Sequence, residues 1–144
     1  MSNTIFLTGG TGYLGGLIVA VLLSSDACRL VLPIRLHHTR QSALAPIRAE
    51  LVASGIEPDT VDFNRVLTPI AWTIDDLSAW GVSEIIHCAG CLDYFDREAL
   101  EEVNVQYTRN LLEIGIRLGV RRFVYISTAF SSGFRDDLIR EDAH

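Results

Sequence analysis

Short β-branched or apolar runs alternate along this chain with longer stretches whose apolar residues recur every three or four positions. Joined by short polar connections, that alternation predicts strands interleaved with helices, hence an α/β fold with a parallel sheet. A first strand is predicted at residues 4–8, then a helix at 12–24 whose near-continuous apolar face implies burial against the sheet. A second strand follows at 29–34 and a second helix at 39–54, stopped by Gly55. A third strand is predicted at 64–68, and Asp75 or Asp76 is placed to cap a short helix through Trp80. The fourth strand is 84–88. Asp96 is expected to cap one long helix to Leu118, with Leu100, Val103, Tyr107, Leu111, Ile114 and Leu118 on its apolar face. The fifth strand is 123–127, and after Thr128 the pattern dissolves into a polar, acidic stretch.

Right-handed crossovers turn this order into a Rossmann-like, doubly wound parallel sheet with strand order 3-2-1-4-5. Its ligand crevice lies at the carboxyl ends of strands 1 and 4, where the order reverses. The run Thr8-Gly9-Gly10-Thr11-Gly12-Tyr13-Leu14-Gly15 falls there, between the first strand and the first helix. A pyrophosphate at a helix N-terminus needs close approach of backbone N–H groups, which side chains in the turn would block. Two spacings are satisfied together, Gly10-x-Gly12-x-x-Gly15 and Gly9-x-x-Gly12-x-x-Gly15. The end of strand 2 reads the ribose: an acid there selects NAD, an arginine the 2′-phosphate of NADP. Val31-Leu32-Pro33-Ile34 ends in Arg35, with Arg40 as a second candidate, so NADP(H) is favoured over NAD(H).

Composition narrows the reading further. At 144 residues the chain is one domain, 1–144. A net charge of −6 argues against nucleic-acid or anionic-membrane surfaces. The longest apolar run, 17–23, is too short to span a membrane, and no basic leader with a cleavage pattern precedes it. Three cysteines without framework spacing fit a reducing, cytoplasmic location. Cys88-Ala89-Gly90-Cys91 has the CxxC spacing, but its place in the crevice explains it better than redox or metal chemistry. Alternation points the neighbouring His87 to the opposite face from Cys88. His37-His38 reads as a solvated loop, with a lesser reading as a phosphate partner. The acids Asp93, Asp96, Glu98, Glu101 and Glu102 read as a capped, solvated helix start. Trp72, Trp80 and Phe130 are expected to be partly exposed.

The segment from Thr8 to Gly15 resembles the nucleotide-binding motif of the extended short-chain dehydrogenase/reductase superfamily. Glu84-Ile85-Ile86-His87-Cys88-Ala89-Gly90 resembles its strand-4 segment, and Val103-Asn104-Val105-Gln106-Tyr107-Thr108 its long-helix segment. Arg121-Arg122-Phe123-Val124-Tyr125-Ile126-Ser127-Thr128-Ala129 resembles the strand that delivers a catalytic Ser or Thr. That strand, with Gln41-Ser42-Ala43-Leu44 and Ile47-Arg48-Ala49-Glu50-Leu51, is most similar to the thioester reductase and fatty acyl-CoA reductase branch, the male-sterility type. The resemblance implies an NADPH-dependent reduction of an acyl thioester held on coenzyme A or a carrier protein, or of an aldehyde. It implies that Gly9, Thr11, Gly12, Tyr13 and Leu14 hold the pyrophosphate and Arg35 the 2′-phosphate. Cys88, Ala89 and Gly90 would line the adenosine and ribose side. Ser127 would sit beside the nicotinamide, Thr128 would hydrogen-bond the reacting oxygen, and Asn104 would brace the site.

The chain departs from that superfamily in three places. It contains no lysine, so the Tyr-x-x-x-Lys pair that passes the proton is absent: four residues beyond Tyr13, Tyr94, Tyr107 and Tyr125 stand Leu17, Glu98, Leu111 and Ala129. Thr68-Pro69-Ile70 stands where Gly-Asp-Leu is usual, and Cys88 where Asn is usual. The chain is therefore expected to be the N-terminal, cofactor-binding portion of a larger reductase. Two alternatives are a non-catalytic dinucleotide sensor or partner module, and part of an NAD-dependent nucleotide-sugar epimerase or dehydratase.

Overall fold

The computed structural model describes residues 3–25 and 28–127. Five strands, β1 (Asn3–Thr8), β2 (Cys28–Val31), β3 (Val66–Leu67), β4 (Val82–His87) and β5 (Arg122–Tyr125), form one sheet. All pairings are parallel and the order is β3-β2-β1-β4-β5, as the crossover argument predicts. The helices are α1 (Tyr13–Ser24), α2 (Arg40–Ala53), α3 (Ile74–Ala79), α4 (Arg97–Leu100) and α5 (Tyr107–Leu118).

The sheet is buried on both faces because successive side chains of its central strands point opposite ways. Ile5, Leu7, Leu30 and Leu32 pack with Val19 and Leu23 of α1 and with Leu44, Ile47 and Leu51 of α2. Phe6, Val31 and Ile85 face the other way, onto Leu77 of α3 and Leu111 of α5. Trp72 and Trp80 are half-buried against this second core, with Trp72 edge-on to Phe6 at 4.8 Å between ring centres.

Several boundaries differ from expectation for local reasons. The β2 ladder closes at Val31 because Pro33 has no N–H to donate. Pairing still continues past it through Leu32 N–H to Leu67 O (2.8 Å) and Ile34 N–H to Pro69 O (2.9 Å). Asn64 and Arg65, expected to open the third strand, instead belong to a 3-10 turn, Phe63–Arg65, capped by Asp62. The short helix is capped by Thr73, not by Asp75 or Asp76; Asp76 completes a reciprocal capping box by accepting from Thr73 N–H at 2.8 Å. Helix α1 buries one face only: Gly15, Gly16, Val19, Ala20 and Leu23 are covered, while Tyr13 and Val21 are exposed. The long helix starts under the predicted cap, Asp96 Oδ1 accepting from Ala99 N–H. It is not uniform, however, because a π-helical turn at Glu101–Gln106 separates α4 from α5.

Away from the crevice, Glu84 ties three strands together. Its carboxylate is buried and accepts from Asn3 Nδ2 at 3.0 Å and from the Arg121 guanidinium, with Arg122 at 3.9 Å. The bond from Arg121, chiefly, holds the Glu84 carboxyl below its ordinary value despite burial.

Candidate functional site

The site is built where β1 runs into α1. The backbone turns at Gly9 (φ 73), and Gly12 N–H returns to Gly9 O at 2.9 Å. Gly12 then caps α1 without a side-chain hydrogen bond, and the first turn of α1 carries no acid. The helix therefore offers its opening amides and dipole to an anion in the crevice. A Cβ on Gly9 would stand 2.7 Å from Ala89 N and 2.8 Å from Cys88 C. A Cβ on Gly15 would stand 2.1 Å from Gly9 O. At Gly10 the nearest atoms are the movable tips of Leu7 and Leu32 at 3.2 Å. Backbone packing thus requires glycine at the Gly9-x-x-Gly12-x-x-Gly15 spacing more than at Gly10.

An open cavity of about 570 Å³ lies along this turn. Thr8, Gly9, Thr11 and Gly12 form one side, and Cys88, Ala89 and Gly90 the floor. Arg35 and His38 stand at the β2 end, Ile70 and Trp72 beside them, and Val103 and Tyr107 descend from the long helix. Gly9, Thr11, Gly12, Arg35, Cys88, Ala89 and Gly90 are thus gathered as the sequence places them. Tyr13 and Leu14 do not line the cavity: their side chains are 87% and 45% exposed, which leaves only their backbone to serve. Ser127 is exposed beyond β5 and does not line the cavity. Thr128, Phe130 and the acidic stretch after them lie outside the described residues.

Two arginines that look alike in sequence have different fates. Arg40 is committed to the scaffold, its guanidinium donating to Val66 O and, at 2.7 Å, to Phe63 O, so it is not a phosphate partner. Arg35 is exposed at the cavity rim. His38, expected in a solvated loop, lines the cavity beside it. The cysteines Cys88 and Cys91 are free thiols, and burial pushes the Cys88 thiol up, away from the nucleophilic thiolate.

Asn104 sits in the π turn. Its Oδ1 accepts from Cys91 N–H at 2.7 Å and its Nδ2 donates to Cys91 O at 2.9 Å. The loop after β4 is therefore held by its backbone from the long helix.

Sequence reasoning missed His87 as part of this scaffold. It points, as alternation predicts, away from the cavity, and it is fully buried beneath α5. Its Nδ1 lies 2.6 Å from Thr8 Oγ1 and its Nε2 2.8 Å from Thr108 Oγ1. The available signal was a polar residue at the buried end of a strand, in register with Thr8. Burial pushes the imidazole below its ordinary value of 6.5, keeping it neutral. Unfolded His87 takes up its proton near pH 6.5, whereas folded His87 protonates only at lower pH. Stability is therefore expected to fall as the pH drops below 6.5 and to level off once the folded imidazole also protonates. Urea midpoints from pH 7 to 5 test this: His87→Phe should flatten the slope relative to the parent, and equal slopes would contradict it.

With this geometry in view, the relatives are informative. Residues 7–144 match the NAD-binding family described as male sterility protein, and the chain belongs to that family. Human 3 beta-hydroxysteroid dehydrogenase type 7 is 30% identical over 129 residues, covering 85% of this chain and 31% of that protein. A thiolation-reductase di-domain from an archaeal non-ribosomal peptide synthetase superposes with a TM-score of 0.71 at 20% identity, covering 90% of this chain and 36% of that one. The PhqB reductase domain from Penicillium fellutanum does so with a TM-score of 0.66 at 26% identity, covering 89% and 38%. The chain thus spans about a third of the length of these proteins. No helix among the described residues is long and apolar enough to cross a membrane.

Proposed function

We propose that residues 1–144 are the dinucleotide-binding unit of an NADP(H)-dependent reductase whose whole form reduces an acyl thioester, on coenzyme A or a carrier protein, or an aldehyde. One observation carries the cofactor choice. Arg35 lines the same cavity as the glycine turn, and the segment that follows β2 carries no carboxylate. A guanidinium there matches a 2′-phosphate in charge and in its forked donors.

The bound dinucleotide would supply the hydride. The amides from Gly9 to Leu14 and the Thr11 side chain suit the pyrophosphate, and the absence of Cβ atoms at Gly9 and Gly15 permits the close turn. The floor at Cys88, Ala89 and Gly90 suits the adenosine and ribose, with Asn104 fixing that loop through Cys91. By the resemblance, Ser127, just past β5, would serve beside the nicotinamide, and Thr128, outside the described residues, would hydrogen-bond the reacting oxygen. No lysine exists to lower a tyrosine pKa, so this chain is expected to bind NADPH without turning over. Cys88, where the superfamily usually has Asn, favours a second reading, a cofactor-responsive module without catalysis.

The specificity claim is tested by Arg35→Ala. Losing a charge-assisted bond to the 2′-phosphate should weaken NADPH binding about 10- to 100-fold and leave NADH unchanged. Equal losses for both dinucleotides would overturn the assignment of Arg35.

A further inference from the structure

The hydrogen bonds around His87 have a direction, and one bond fixes it. Thr108 Oγ1 donates to Asn104 O at 2.9 Å, four residues back along the long helix. A hydroxyl has one proton, so this oxygen can only accept from His87 Nε2, 2.8 Å away. The neutral ring then has no proton left for Nδ1, which accepts from Thr8 Oγ1 at 2.6 Å. Thr8 Oγ1 in turn accepts from Ala89 N–H at 3.3 Å. The chain of donors therefore runs Ala89 N–H, Thr8 O–H, His87 ring, Thr108 O–H, Asn104 O. Both ends reach the crevice: Ala89 is part of its floor, and the Asn104 side chain grips Cys91. Among the described residues, the titratable groups whose rings face the imidazole are Tyr107, edge-on at 5.5 Å, and Tyr125, stacked at 5.4 Å. Burial pushes Tyr107 up to about 12, so it stays an uncharged wall.

We propose that His87 is a positioning residue, a neutral imidazole protonated on Nε2 that couples the end of β1 to the π turn and so fixes the 88–91 loop against the glycine turn. The π turn has a role in this arrangement: Asn104 within it holds Cys91, while Thr108 just after it meets the imidazole. The effect on dinucleotide affinity rests on the function proposed above; the tautomer and the coupling do not.

Two measurements test the relay. In protein labelled with ¹⁵N-histidine, His87 should show the neutral Nε2–H tautomer at pH 7; the Nδ1–H tautomer or a cation would overturn the proposal. Thr8→Val and Thr108→Val each remove one hydroxyl from opposite sides of the ring. Each should weaken NADPH binding on the order of 3- to 10-fold, with the double variant no worse than the weaker single one. In a His87→Phe background Thr108→Val should be nearly silent, while Thr8→Val should keep only the part of its loss that comes from its own bond with Ala89 N–H and its place in the cavity wall; additive losses with His87 intact would overturn the coupling. If the folded chain binds neither NADPH nor NADH, the proposed function fails. The same cycle is then read in urea midpoints, where non-additivity is again expected and additivity again overturns the relay.

Discussion

Gly15→Ala is expected to weaken NADPH binding by about 100-fold or more and to destabilise the fold by about 2–3 kcal/mol. The added methyl would lie 2.1 Å from Gly9 O, well inside van der Waals contact, and 2.7 Å from Gly9 C. Gly9 cannot retreat, because its own Cα faces the backbone at Cys88 and Ala89. The turn would have to lift away from the β4 end, carrying with it the amides that open α1. Gly16→Ala is the control. Its Cβ would meet Gly10 O at 3.9 Å, an ordinary contact, and alanine is the better helix former. Its binding should match the parent, with stability unchanged or slightly raised. A Gly15→Ala protein that binds NADPH as the parent does would show that the turn is not the cradle described.

Glu84→Gln is expected to lower stability by about 2 kcal/mol at pH 7, from loss of charge-assisted bonds to a buried carboxylate. The loss is no larger because Arg121 and Arg122 are about two-thirds exposed and solvent screens them. The pH dependence has a definite sign. Folded Glu84 titrates below the ordinary 4.5, so its stabilisation is complete above that pH. It is lost as the pH falls from 4.5 through the lower folded value. Urea midpoints of parent and variant should therefore converge in acid. A gap that stays constant from pH 7 to pH 3 would assign the loss to packing and not to charge. Dinucleotide affinity should be untouched, since Glu84 does not line the cavity.

Much of this architecture is legible in the sequence because it is set by local rules. The short β-branched and apolar runs at β1 and β4 and the three-to-four spacing from Leu100 to Leu118 specify strands and a helix from local sequence. The strand order follows from handedness, and the glycine turn from steric need. What stayed hidden depends on partners distant along the chain. Arg40 and Arg35 are both cations near the β2 end, and only the fold shows that the carbonyls of Phe63 and Val66 take Arg40. His87 announces itself as a buried face of β4, while its partners Thr8 and Thr108 lie 79 and 21 residues away in sequence. The π turn at Glu101–Gln106 leaves the apolar spacing nearly unchanged, so periodicity cannot detect it. Thr73 escaped notice as a cap because two acids followed it and were better candidates by charge alone.

The most direct test of the central claim is a calorimetric titration of the folded chain with NADPH and, separately, with NADH. The account predicts saturable binding of one dinucleotide per chain, tighter for NADPH, with the preference removed by Arg35→Ala. A folded chain that gives no saturable binding to either dinucleotide, or that prefers NADH with Arg35 intact, would contradict it.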